Sequence, residues 1–287
     1  MIPLGKCPRL WETLEAQPVG MGGGARRGGD TGVRPWIVRA ALVLAALLAV
    51  AAPSRAMAAT ETLIIGTEGD YAPFSYTEAD GTLGGFDVDI AHALCAAMQM
   101  TCEIVAVPWG ALIPALNDRR IDAIIASMSI TEERKQLVAF TNRYYRTPMQ
   151  FIARKGSRID VSPEHLRGKR VAVEADTTAH KYLLSHGDIG MDMRIFATQS
   201  EANRALMRGE ADLLIADSLV MWALTKTPEG SAFEFVGAPI YADEGIGIAV
   251  RQGDEALLQA FNRAILRLRI DGTYDRINAK YFPFSIY

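Results

Sequence analysis

Positive charge is not in excess in this sequence: 30 Lys and Arg stand against 33 Asp and Glu, a formal net charge of −3. Nucleic acid is therefore not expected as a partner, for want of an electrostatic basis. Cysteine is scarce, three in 287 residues, and histidine hardly less so, with four. Lone cysteines without neighbouring histidine do not make a tetrahedral set, so neither a metal site nor a cofactor is expected. Long apolar runs are lacking too. Ala40–Ala52 spans 13 residues, too short to cross a bilayer but of the size found in the core of an export signal.

The surroundings of that run support the export reading. Arg34 and Arg39 precede it, Pro53 and Ser54 follow, and Ala56-Met57-Ala58 gives an A-x-A cleavage pattern. Residues 1–58 read as a signal peptide and leader cut near Ala58, the alternative being a short membrane anchor. The Gly-rich stretch 1–30 is unlike an ordinary start, and translation beginning at Met21 or later would account for it. No Cys follows the apolar run, so no lipid anchor is indicated. Without residues 1–58 the chain keeps 23 basic and 30 acidic residues, a net charge of −7. The expectation is an acidic, soluble, monomeric protein of the periplasm.

What is present is apolar bulk. Hydrophobic residues make up 49% of a chain long enough for two domains, which excludes a disordered composition for most of it. Cys7 goes with the leader. Cys95 and Cys102 remain, an even pair in an oxidising compartment, able to close a local disulfide loop or to stay as two buried thiols.

From residue 62 on, strand and helix patterns alternate. "TLIIGT" (62–67) and "CEIVAV" (102–107) read as buried strands. Between them, "FDVDIAHALCAAMQM" sets Phe86, Ile90, Leu94 and Met98 on one helical face. "GALIPALNDRR" is helix-like. Arg170–Val173 reads as a strand, with a helix start at Asp176-Thr177-Thr178. "ALLQAFNRAILRLRIDG" closes the chain with Leu257, Phe261, Ile265 and Leu268 on one face. Strands alternating with helices imply parallel βαβ units and an α/β fold. A weak internal echo adds detail: "ALNDRRIDAIIAS" (115–127) aligns with "ALMRGEADLLIAD" (205–217), putting Asp122 on Asp212 and Ser127 on Asp217. Ligands of open α/β sheets bind beyond the carboxyl ends of strands. Ser127 and Asp217 would occupy two such ends, facing one another across a ligand.

The stretch "IDAIIASMSITEERK" (121–135) poses the functional question, because an apolar strand ends in Ser127, Ser129 and Thr131, with Arg134 close behind. Together with "GTEGDYAPFSY" (66–76), "GGFDVDIAHAL" (84–94) and "DGTYDRINAKYF" (271–282), it resembles the periplasmic solute-binding proteins of polar amino-acid ABC transporters, most of all the lysine/arginine/ornithine- and histidine-binding group. The resemblance covers roughly residues 60–287. It implies two α/β lobes joined by two crossover strands that form a hinge, with the ligand cleft between them. One lobe would comprise 59–145 and 246–287, the other 146–245. It also implies a disulfide between Cys95 and Cys102, a small amino-acid ligand, and a membrane permease as partner.

An amino acid needs a partner for its carboxylate, its ammonium and its side chain, because buried charges are costly unless paired. Arg134 is similar to the family's carboxylate-binding arginine, with Ser129 beside it and Thr177 and Thr178 at a helix start of the other lobe. Asp217 matches the amine-binding aspartate, with Ser127 sharing that role. Tyr71 and Trp109 match the two aromatics that sandwich the side chain. Glu68 stands where the lysine/arginine group more often has aspartate; this form is also similar to opine-binding relatives. Glu174 and Asp176 fall at a strand end of the second lobe. Three acids around one pocket point to a cationic side chain: arginine, ornithine, lysine or histidine.

Other classes compete. An opine-binding protein for octopine or nopaline would use the same site. Periplasmic cyclohexadienyl dehydratases share the fold and many motifs, but His180 falls on their catalytic glutamate position and their Gly-Gly-Thr-Asn pattern is absent. A receptor's sensory domain would need a transmembrane segment and signalling domains after residue 287, where the sequence ends in "YFPFSIY". A binding protein, not an enzyme, is the expectation.

Overall fold

The computed structural model describes residues 62–186 and 190–287. The leader expected at residues 1–58 lies outside the described residues.

The chain enters as β1 (Leu63–Thr67), followed by three short strands, β2 (Asp70–Tyr71), β3 (Ser75–Thr77) and β4 (Leu83–Gly84), which pair into a small antiparallel sheet. Helix α1 (Phe86–Met98), β5 (Cys102–Ala106), α2 (Leu112–Asn117), β6 (Ala123–Ile124), the one-turn α3 (Glu132–Lys135) and β7 (Ala139–Phe140) complete the first passage. Next come β8 (Met149–Arg154), β9 (Arg170–Glu174), α4 (Thr178–Leu184), β10 (Asp192–Phe196), α5 (Gln199–Met207), β11 (Leu213–Asp217), α6 (Ser218–Thr225) and β12 (Phe233–Ile240). The chain returns through β13 (Ala249–Val250) to α7 (Glu255–Ile270) and α8 (Thr273–Tyr281).

Two five-stranded sheets result, in the orders β5-β1-β6-β13-β7 and β10-β9-β11-β8-β12. They define two lobes. The first three strands in each order, β5-β1-β6 and β10-β9-β11, are parallel, as the alternating pattern predicts. The rest corrects that expectation: β8 and β13 each pair antiparallel with both of their neighbours. These are the first strands laid down after the chain crosses between lobes, and they enter their sheets from the opposite end.

The first core packs Phe86, Ile90 and Leu94 of α1 against Phe261, Ile265 and Leu268 of α7 and Tyr274 and Ile277 of α8. Gly85 permits this start of α1. It has φ 121°, and a Cβ there would lie 2.3 Å from the carbonyl oxygen of Phe74. Cys95 and Cys102 are joined in a disulfide that ties the end of α1 to β5. The second lobe buries Phe151, Val171, Val173, Leu213 and Ile215 beneath Leu183 of α4.

The internal echo is structural. The Asp122 N–H donates to the carbonyl of Ile64 and its Oδ2 accepts from the Ile64 N–H. Asp212 makes the same two bonds with Arg170. Each aspartate clamps the strand that follows to the central parallel neighbour, and an arginine pairs with each, Arg251 with Asp122 and Arg170 with Asp212. Even the left-handed turn before the clamp repeats, at Arg119 (φ 61°) and Gly209 (φ 73°).

Candidate ligand-binding site

Strand ends of the two sheets meet across one cavity. Glu68 follows β1, Ser127 and Ser129 follow β6, Glu174 ends β9 and Asp217 ends β11. Tyr71 and Trp109 come from β2 and the turn before α2, Arg134 from α3, and Thr177 and Thr178 from the start of α4. All ten of these residues, each expected from the sequence, line this one cavity. Asp176 does not. Its side chain is exposed, and only its carbonyl turns inward to Arg134. A left-handed φ of 58° at Asp176 sends the side chain outward while the backbone faces the cleft.

Arg134 is 5% exposed. Its short helix is fixed by Thr131, whose hydroxyl accepts from the Arg134 N–H. Nη1 donates to the carbonyl of Ser129 at 3.1 Å and Nη2 to the carbonyl of Asp176 at 3.2 Å. A guanidinium carries five N–H donors, so these bonds leave others for an anion. The guanidinium also lies 5.0 Å from the centroid of the Trp109 ring. Trp109 therefore supports Arg134 as well as bordering the cavity, and Ser129 meets Arg134 through its carbonyl.

Asp217, 7% exposed, accepts from the Tyr71 hydroxyl at 2.9 Å. Burial pushes its carboxyl up to about 7; the charge of Asp243 adds to this, while the Tyr71 bond and Arg134 pull it back. Glu68 and Glu174 are 8% and 1% exposed. Both Glu174 oxygens and Glu68 Oε1 are buried without a hydrogen-bond partner. Burial raises both carboxyls above the ordinary range, and for Glu174 the nearby Glu68 raises it further. Among the described lining residues, three buried carboxyl groups thus face one guanidinium.

The second lobe's threonines divide their tasks. Thr177 caps α4, its hydroxyl accepting from the His180 N–H and donating to the Glu174 carbonyl. Thr178 is the first residue of that helix. Ser127 holds a left-handed φ of 53° and donates its hydroxyl to Asp87 at 2.9 Å.

Cavity-lining Gln199 and the small residues Ala126, Ala179 and Ala216 were not expected from the sequence. Gln199 opens α5 directly after β10, behind the capping residue Thr198. That strand-to-helix junction was the available signal, the same one that marks Thr177. Lobe-to-lobe contacts ring the cavity: Lys181 pairs with Glu133 on one rim, and the Ser200 hydroxyl donates to Asp70 on another.

The L-arginine-binding protein of Pseudomonas aeruginosa is 42% identical over 236 residues, covering 80% of this chain and 91% of its own. The lysine/arginine/ornithine-binding periplasmic protein of Escherichia coli is 39% identical, covering 86% of this chain and 97% of its own. Among solved structures, an ancestral arginine-binding protein bound to arginine superposes with a TM-score of 0.73 at 35% identity, covering 77% of this chain and 98% of that one. Residues 63–284 match the bacterial extracellular solute-binding proteins, family 3, and with that span and those relatives the chain belongs to this family.

Proposed function

We propose that the protein captures a cationic amino acid in the periplasm, arginine foremost, and delivers it as a monomer to the membrane permease of an ABC importer. The observation that carries this reading is the excess of acid groups in the cavity: the carboxyls of Glu68, Glu174 and Asp217 stand against the guanidinium of Arg134, all buried. In such a site a ligand with a carboxylate, an ammonium and a cationic side chain leaves the fewest charges unpaired. Arg134 would take the carboxylate, with Thr177 and Thr178 closing over it. Asp217 and Ser127 would take the ammonium. Glu68 and Glu174 would take the side-chain cation between Tyr71 and Trp109. A guanidinium suits two carboxylates well, because its planar donors can serve both at once.

A thermal-shift screen of the twenty amino acids plus octopine and nopaline, which carry the same guanidinium, tests this. A ligand at a hundred times its Kd should add about 2.7 kcal/mol of stability. Arginine, lysine, ornithine or histidine should stabilise the protein and glutamate should not. Preference for a neutral or acidic amino acid overturns the ligand class.

One observation favours a second reading. Glu174 is a buried acid with a raised pKa, as a general acid for eliminating water would need. Against it, prephenate is a dianion and would enter a cavity already rich in carboxylates. Incubation with prephenate or arogenate should yield no phenylpyruvate or phenylalanine; either product would place the chain among enzymes.

A further inference from the structure

We infer that Asp87 is a positioning residue of the binding site: from behind the cavity wall it accepts the hydrogen bond of the Ser127 hydroxyl, leaving Ser127 only lone pairs to offer the α-ammonium of a bound amino acid. The inference rests on the reading of the site given under Proposed function.

Asp87 does not line the cavity. It sits in the first turn of α1, just after Gly85 and Phe86, and is fully buried. Its backbone N–H donates to the Phe74 carbonyl at 2.8 Å, which fixes where the side chain starts. Oδ2 accepts from the Ser127 hydroxyl at 2.9 Å, and Oδ1 accepts from the Tyr144 hydroxyl at 2.8 Å. Burial pushes the Asp87 carboxyl up to about 7, while the Tyr144 and Ser127 hydroxyls pull it back. Its place at a helix start also favours the ionised form, so the acceptor role is fullest above about pH 7.

Ser127 is the point of contact with the site. It is a non-glycine residue in the left-handed region, a conformation that persists only where surrounding structure holds it. A hydroxyl has one hydrogen to donate and two lone pairs to accept with. Once the hydrogen is committed to Asp87, the Ser127 oxygen can only accept. An ammonium is the complementary group, with three donors and no acceptor. Asp87 therefore turns Ser127 toward an amine without placing a further bare charge in the cavity. Asparagine at 87 can instead donate its own N–H to the Ser127 oxygen, occupying a lone pair and releasing the serine hydrogen toward the ligand.

The test compares arginine with 5-guanidinopentanoate, which is arginine without its α-amine, by calorimetry on wild type, Asp87→Asn, Ser127→Ala and the double variant. Asp87→Asn should weaken arginine by about tenfold and change 5-guanidinopentanoate by less than about threefold, on the scale of one charge-assisted hydrogen bond. In the Ser127→Ala background, Asp87→Asn should cost arginine nothing more. A purely structural role would lower both compounds together, and that result, or full additivity of the two substitutions, overturns the inference. Should Asp87→Asn fail to fold, Ser127→Ala carries the test: an unchanged preference for arginine over its deaminated analogue overturns it. Wild-type protein that binds neither compound overturns the proposed ligand class and this inference with it. A wild type that prefers arginine, with Asp87→Asn keeping that preference, overturns this inference alone.

Discussion

Tyr71 of the first lobe donates its phenolic hydrogen to Asp217 of the second across 2.9 Å, joining residues 146 apart in sequence. The bond closes one side of the cavity without help from a ligand. Tyr71→Phe should remove about 0.5–1.5 kcal/mol of lobe-to-lobe attraction. Small-angle scattering of the unliganded variant should then show a larger radius of gyration than wild type, with the difference vanishing at saturating arginine. Equal radii without ligand would show that the bond does not set closure.

The buried Asp217 links binding to pH. Its carboxyl is pushed up to about 7, first of all by burial. A carboxylate raised in the folded state holds its proton more tightly there than in the unfolded chain. Asp217 therefore favours the folded, unliganded protein most at low pH, and that contribution falls as pH rises from about 4 to about 7. An ammonium ligand pairs with the ionised form, so arginine affinity should climb across the same window. Calorimetry from pH 5 to 8 should show this rise, and Asp217→Asn should reduce it, leaving the part contributed by Glu68, whose carboxyl is raised to about 7 as well. A flat wild-type profile would remove Asp217 from the ammonium site.

Arg134→Ala should cost about 3–5 kcal/mol of ligand binding, because the ligand carboxylate would be buried without its cation. The side chain belongs to the cleft, so the melting curve without ligand should change little. Unchanged affinity in calorimetry would refute the assignment.

Glu68→Gln keeps size and removes charge. It should cost arginine or lysine on the order of 2–4 kcal/mol. Glutamine and citrulline, which lack the side-chain charge, should lose much less. Equal losses for all ligands would mark a structural defect instead of charge selection.

Arg119 and Gly209 occupy equivalent left-handed turns, and both are exposed. A non-glycine residue pays about 1 kcal/mol for that conformation. Arg119→Gly should therefore raise the unfolding free energy by a few tenths of a kcal/mol, the gain being trimmed by the greater freedom of glycine in the unfolded chain. The reverse change, Gly209→Arg, should lower it by a similar few tenths, the strain being partly offset by the smaller freedom of arginine in the unfolded chain. Urea unfolding of the two variants checks the pair, and a gain from Gly209→Arg would contradict the equivalence.

Much of this was legible in the sequence because local chemistry repeats. The apolar face Phe86, Ile90, Leu94 meets the face Phe261, Ile265, Leu268, and both follow from the 3.6-residue period. The echo of Asp122 and Asp212 was readable because each clamp spans one turn and one strand start. Strand ends could be marked as site positions for the same reason: Ser127 and Asp217 break apolar runs with polar groups. Asp176 was misplaced because a single left-handed backbone angle decides which way its side chain turns, and nothing in "EADTT" announces that angle. The stretch 121–127 reads as a longer strand than the Ala123–Ile124 ladder that forms, since Ser127 leaves the extended region.

The sequence by itself determined the α/β alternation, the family resemblance and the chemical identity of the cavity: one arginine, its aromatics and its acids. Those depend on residue type and short-range spacing, and both are written along the chain. The tertiary structure alone decided which groups face one another. Antiparallel β8 and β13, the Tyr71–Asp217 bond, the unpaired Glu68 and Glu174, Gln199 at the cavity wall and Asp87 behind it all join segments far apart in sequence. Their meeting is set by how two sheets are crossed and closed, and burial then fixes what each carboxyl costs and what it can hold.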